Sequence, residues 1–100
     1  MYVRMFWGKL KLGMWDEYEK LYTENIEPLT EGIKGFRGRQ LLRSTENPDE
    51  GISLTIWDTL EDMEHYRLSP RRHQLARQND QLYSGDYWEK HFEIRSETNL

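Results

Sequence analysis

The chain contains no cysteine. Disulfides, thiolate catalysis and cysteine-held metals or clusters are therefore excluded. Long apolar runs are also missing: nothing approaches the ~18 consecutive apolar residues that a spanning helix needs. The opening MYVRMFWGKLKLG lacks the apolar segment of a secretory signal. A membrane is not an expected partner, and the cytoplasm is the expected location. Positive charge is not in excess either. The formal net charge is −4 and the pI about 5.4, the wrong sign for a nucleic-acid footprint. There is no Gly-rich phosphate loop, nucleophile elbow or paired-carboxylate motif. What is abundant is aromatic: four Trp, six Tyr and three Phe in 100 residues. That length makes one domain with a modest core. The domain is expected to run from about residue 2 to 95, with residues 96–100 a frayed tail.

The most informative stretch is Gly51–Arg72, GISLTIWDTLEDMEHYRLSPRR. Ile52, Leu54 and Ile56 alternate with Ser53, Thr55 and Trp57, the period of a strand with two unlike faces. Thr59 then offers an N-cap, with Asp62 in the first turn. Leu60, Met63, Tyr66 and Arg67 follow at helical spacing, and Ser69–Pro70 predicts a second cap where the helix bends or restarts. The aliphatic face of this strand is expected to pack on the helices. The other face, with Trp57 and two hydroxyls, is a candidate pocket lining.

Elsewhere, Tyr2–Leu12 reads as a first strand with Val3, Met5 and Trp7 on one side and Tyr2, Arg4, Phe6 and Leu10 on the other. Trp15, Tyr18, Tyr22, Ile26, Leu29 and Ile33 recur in steps of three and four, predicting a helix of about five turns that is interrupted or bent near Pro28. Phe36–Thr45 reads as a second strand with Arg37, Arg39 and Arg43 along one side. Asn47–Gly51 is a hairpin connection. Gln78–Gly85 reads as a loop and Asp86–Arg95 as a fourth strand. The order β-α-β-β-α-β is the split arrangement of ferredoxin-like α+β folds, an antiparallel sheet with helices on one face only. The second face also carries large apolar groups, so a homodimer that buries it is expected.

With these elements in place the chain resembles the antibiotic biosynthesis monooxygenase family of the dimeric α/β-barrel superfamily. The resemblance rests on the first strand ending at Lys11-Leu12-Gly13 and on Lys34-Gly35-Phe36-Arg37-Gly38 opening the second. It continues through the hairpin at Glu46–Gly51, the strand-ending Trp57-Asp58 and the segment Tyr66-x-x-Ser69. It implies a dimeric barrel with a pocket in each subunit between sheet and helices. It also implies oxygen insertion into a small phenolic or quinol-type aromatic molecule, with O2 as the other substrate and no cofactor. A second branch of the family binds and degrades heme.

Phenol oxidation of this kind needs a dry site that holds an aromatic ring and stabilises its anion. The family's polycyclic quinol oxygenases place an Asn and a Trp four apart on strand three. The matching positions are Ser53 and Trp57, so the Trp is retained and the amide replaced by a shorter hydroxyl. Trp57 reads as a pocket wall or as core. His91, on a strand face with Glu89 and Glu93, reads as a proton acceptor or as an exposed cross-strand partner; no metal site is expected from it. Tyr66, Phe6, Trp7 and Arg4 are candidate substrate contacts. Arg39 and Arg43, with Arg4, either steer an anionic substrate or lie in solvent on the sheet edge. His65 and His73 read as surface residues. In the heme branch the Asn of strand one aligns near Trp7, a Trp stands at Tyr66, and the iron-ligating His falls at Ala76. Alanine offers no axial donor, so tight heme binding is not expected. Three readings remain: a cofactor-independent oxygenase, a non-catalytic dimeric module that binds a small ligand, and, last, a heme degrader.

Overall fold

Alternating apolar residues build four strands, and the computed structural model, which describes residues 1–99, joins them in one antiparallel sheet. The strands are β1 (Tyr2–Leu10), β2 (Phe36–Arg43), β3 (Glu50–Trp57) and β4 (Tyr83–Glu93), in spatial order β2-β3-β1-β4. The helices are α1 (Trp15–Leu21), α2 (Leu60–Arg67) and α3 (Pro70–Ala76). This is the expected ferredoxin-like α+β architecture.

Helix α1 does not run as one α-helix to Ile33. After Leu21 it widens into a π-helical turn at Tyr22–Ile26 and then tightens into a 3-10 turn at Glu27–Thr30. Pro28 lies in that last turn, where its missing N–H precludes an ordinary i−4 bond. Both predicted caps of the second helical segment are formed. Thr59 accepts from the Asp62 amide at 3.1 Å and starts α2. Ser69 accepts from the Arg72 amide at 3.4 Å and, with Pro70 behind it, starts α3. The segment read as a loop at Gln78–Gly85 is instead a 3-10 turn over Arg77–Leu82 followed directly by β4, which begins at Tyr83 rather than Asp86. The first strand ends two residues earlier than expected, because Leu10 and Lys11 turn their amides to Asp49 and Leu82 carbonyls at 2.7 and 2.8 Å.

The larger correction concerns which sheet face the helices cover. They cover Ser53, Thr55 and Trp57, not Ile52, Leu54 and Ile56. Tyr22 reaches Ser53, and Trp57 packs with Met63 and Tyr66. The helices bring down tyrosines, whose hydroxyls need polar partners once buried, and the hydroxyl face of β3 supplies them. Gly51 belongs to the same arrangement: a Cβ there would meet the Leu42 carbonyl and the Trp15 ring, so its absence lets α1 settle on the sheet. The aliphatic row of β3 therefore lies on the uncovered face, beside Val3, Met5 and Trp7. Strand β2 also departs from strict alternation. Its register shifts between Phe36 and Gly38, so Arg37 leaves the row of Arg39 and pairs with Asp58 at 2.5 Å.

Two buried clusters form under the helices. One joins Leu10, Trp15, Tyr18, Tyr22, Ile26 and Leu82; the other joins Trp57, Met63 and Tyr66. Between them the sheet presents only the short side chains of Ser53 and Thr55 and two arginines, and the clusters do not close over it.

Candidate functional site

The gap between the clusters is a cavity of about 600 Å³. At its floor lie Arg39 on β2 and Arg4 on β1, which flank the buried Thr55 of β3. The next row brings Ser53 beside Phe6, and Phe6 beside Glu89. Tyr18, Tyr22 and Ile26 close one side, Tyr66 the other, and Arg72, His73, Ala76 and Arg77 lie above. Phe6 stacks on Tyr87 with centroids 5.7 Å apart and meets Tyr83 edge-on at 5.8 Å.

The polar groups of this cavity are held by short bonds. Tyr22 and Ser53 share a buried hydroxyl–hydroxyl bond of 2.8 Å. Arg39 donates from Nη2 to the Tyr66 hydroxyl at 2.7 Å, and its guanidinium lies 5.3 and 5.7 Å from the Tyr22 and Tyr66 ring centres. Arg4 pairs with Glu89. The donors are only partly used: Arg4 Nε and Arg39 Nε and Nη1 are buried with no hydrogen-bond partner among the described residues. Burial, and then the positive charge of Arg72, lower the Arg4 pKa against the pull of Glu89. Burial likewise raises the pKa values of Tyr18, Tyr22 and Tyr83, so these hydroxyls stay protonated near neutrality.

Of the residues singled out from the sequence, Ser53, Tyr66, Phe6 and Arg4 line the cavity. Trp57 does not. It is 0% exposed, packed at a tilt behind Tyr66 with ring centres 5.1 Å apart, and its indole N–H is donated to Thr55 at 2.7 Å. The placement expected of it as a wall is thus taken by Tyr66, because Trp57 ends the strand one row beyond the cavity, beside Tyr2 and Phe36. Trp7 is on the opposite sheet face, stacked on Trp88 at 6.1 Å and bonded to Glu50 at 2.8 Å; strand alternation puts it there with Val3 and Met5. His91 lies outside the lining. It stands behind Glu89, with Nε2 3.3 Å from Glu89 and Nδ1 3.8 Å from Glu64. Arg43 is also outside, stacked over Trp15 at 5.2 Å and donating to the Pro48 carbonyl at 2.8 Å. Tyr22 and Arg72 were not singled out. The signal for Arg4 and Arg39 was present: each is a charged residue on the inward alternation of a strand. Tyr22 and Arg72 carried no such mark, since helix period alone does not separate a packed tyrosine or a surface arginine from one above a cavity.

The family model for antibiotic biosynthesis monooxygenase matches residues 1–78, through α3 and the residues above the cavity. The chain belongs to that family. Solved structures repeat the family's fold at low identity. SnoaB from Streptomyces nogalater, described as a cofactor-independent oxygenase, superposes with a TM-score of 0.83 at 14% identity, covering 96% of this chain and 94% of that one. MhuD from Mycobacterium tuberculosis, a heme degrader with two hemes in its active site, gives 0.78 at 20%, covering 99% and 100%. Rv0793 from the same organism gives 0.80 at 14%, covering 98% of each chain. At these identities the likeness establishes the fold. No curated protein matches the sequence. Ala76, the position aligned with the heme branch's iron ligand, lies in the cavity lining, and the neighbouring His73, also in the lining, is 2.8 Å from the Arg67 carbonyl.

Proposed function

We propose that this family member is a cofactor-independent monooxygenase of small, electron-rich aromatic or quinol-type molecules, working as a homodimer with one cavity per subunit. The observation that carries this reading is the cavity itself: aromatic on its flanks, cationic at its floor, with a hydroxyl pair between. The chemistry asks for those three things. A bound phenol or quinol ionises more readily beside guanidiniums than in water. Its anion is then rich enough to pass an electron to O2 while the aromatic flanks hold the ring. For a ring methylene the reaction balances as one methylene and one O2 giving one ketone carbonyl and one water. Both C–H bonds are broken, and the substrate supplies every electron that the oxygen takes up.

In this reading Tyr66 and Phe6 flank the ring, and Ser53 with Tyr22 donates to a substrate oxygen. Arg39 and Arg4 stabilise the anion. Glu89 takes the proton, and His91, 3.3 Å behind it, passes that proton towards Glu64 and solvent. Trp57 is a positioning residue that holds Tyr66. An oxygen electrode with 1,8-dihydroxyanthrone as the substrate tests the proposal. The expected result is protein-dependent uptake of one O2 per anthrone, unchanged by EDTA and lowered at least about tenfold by Arg39→Met, the loss of one charge-assisted contact. Uptake no faster than with bovine serum albumin would overturn the oxygenase and leave the ligand-binding module.

A further inference from the structure

We infer that the ligand of this cavity carries a permanent carboxylate, so that the substrate class is an aromatic acid rather than a neutral quinol. The inference rests on the cavity being the substrate site.

The first observation is charge. Five arginines line the cavity, at positions 4, 39, 67, 72 and 77, against Asp80 and Glu89. Glu64, bonded to Arg67 at 2.7 Å, offsets one more. Two positive charges are left over in a chain whose net charge is −4. A phenolate formed during turnover cancels one. A second anion would cancel the other, and it must be present before the phenol ionises, because arginine does not shed its proton in a protein.

The second observation is geometry. Arg4 and Arg39 sit one strand to either side of Thr55, about 10 Å apart along the sheet at ordinary strand spacing. Arg4 is 3% exposed. Its Nε, and the Nε and Nη1 of Arg39, have no partner among the described residues. Both arginines line the cavity, and buried charge-bearing donors left unmet are costly, so a carboxylate drawn to either guanidinium offsets part of that cost. A planar carboxylate suits a guanidinium fork, with two acceptor oxygens at the spacing of two N–H groups. A hydroxyl presents one oxygen and no formal charge. The aromatic flanks then take the ring, and about 600 Å³ holds a fused bicycle or tricycle.

The experiment is calorimetric titration of the intact protein with 2-naphthoate and with its neutral analogue 2-naphthalenemethanol. Naphthoate is expected to bind at least tenfold more tightly, and Arg39→Met is expected to erase that preference. Arg39→Lys, which keeps the charge without the fork, is expected to fall between. Equal or tighter binding of the carbinol to the wild-type protein overturns the inference, whether or not any variant folds. So does a preference that survives in folded Arg39→Met. Binding of neither ligand at millimolar concentration overturns both the inference and the cavity as a ligand site. The two readings also fail separately. Anthrone oxidation without an acid preference removes only the inference, and an acid preference without oxygen uptake removes only the oxygenase.

Discussion

At the scale of single residues, Trp57 shows why residue type and strand position do not by themselves give a role. Its sequence context marks it as the end of a two-faced strand, and a wall and a core residue are equally compatible with that. Only the packing decides: no atom of the ring reaches the cavity, and the N–H is spent on Thr55. Replacement by phenylalanine removes that bond and part of the contact with Tyr66 and Met63. The expected cost is about 1–3 kcal/mol of stability, read as a lowered denaturation midpoint with unchanged m-value. Anthrone turnover at a temperature where the variant is folded is expected to stay within about threefold of wild type. A hundredfold loss of turnover in a fully folded variant would show that the indole acts on the substrate. Arg4 and Arg39 were the converse case. Each was visible as a charge in an inward stripe, but the sequence could not say whether that stripe met helices or solvent, because β1 and β2 carry large side chains on both faces.

At the scale of elements, existence and order were legible because hydrophobic period and capping chemistry are local. Thr59, Ser69 and Pro70 specify their helix starts within four residues. The facing of β3 was not legible. Periodicity shows that two faces differ; it does not show which one the helices choose, and the aliphatic face is the natural but mistaken choice. Nor was the widened turn at Tyr22–Ile26, which depends on how α1 meets Pro28 and the sheet. That docking has a pH signature. Tyr18 and Tyr22, from α1 and its π-helical turn, and Tyr83, from the start of β4, all have raised pKa values because burial disfavours tyrosinate. A raised acid pKa means that the unfolded chain releases its protons first, from about pH 10. Above that pH the unfolded state binds fewer protons than the folded one, so stability falls as pH rises and is untouched below it. Absorbance at 295 nm and circular dichroism followed together are expected to show these tyrosines ionising with the loss of α1 docking. Full ionisation of all six tyrosines in a protein with native near-ultraviolet dichroism would contradict this account.

At the scale of the whole molecule, the dominant fact is an uncovered sheet. The chain is a slab 35 × 32 × 21 Å, and its short dimension is one sheet plus one layer of helices. The face away from the helices carries Ile52, Ile56 and Met5, half-buried around Val3 and Leu54, which are each 8% exposed, and beside them the stacked Trp7–Trp88 pair. Leu42 and Phe92 at its two edges are 42% and 47% exposed. Lys90, over Trp88 at 5.0 Å, and Gln40 interrupt it with long polar side chains. A contiguous apolar surface of this kind is seldom left to water. A second copy is the cover this surface fits best, since a two-fold axis sets the same aliphatic rows against each other. The expected state is therefore a dimer at 10 µM by sedimentation. Because Leu42 and Phe92 flank the face on opposite edge strands, the double variant Leu42→Glu/Phe92→Glu puts four carboxylates into the interface. It is expected to sediment as a monomer with unchanged far-ultraviolet dichroism. The cavity lies on the other side of the sheet, so naphthoate binding is expected to survive dissociation within about threefold. A wild-type chain that remains monomeric at 100 µM would mean that the open face has some other partner, and loss of naphthoate binding in the folded monomer would mean that the second subunit helps to shape the site.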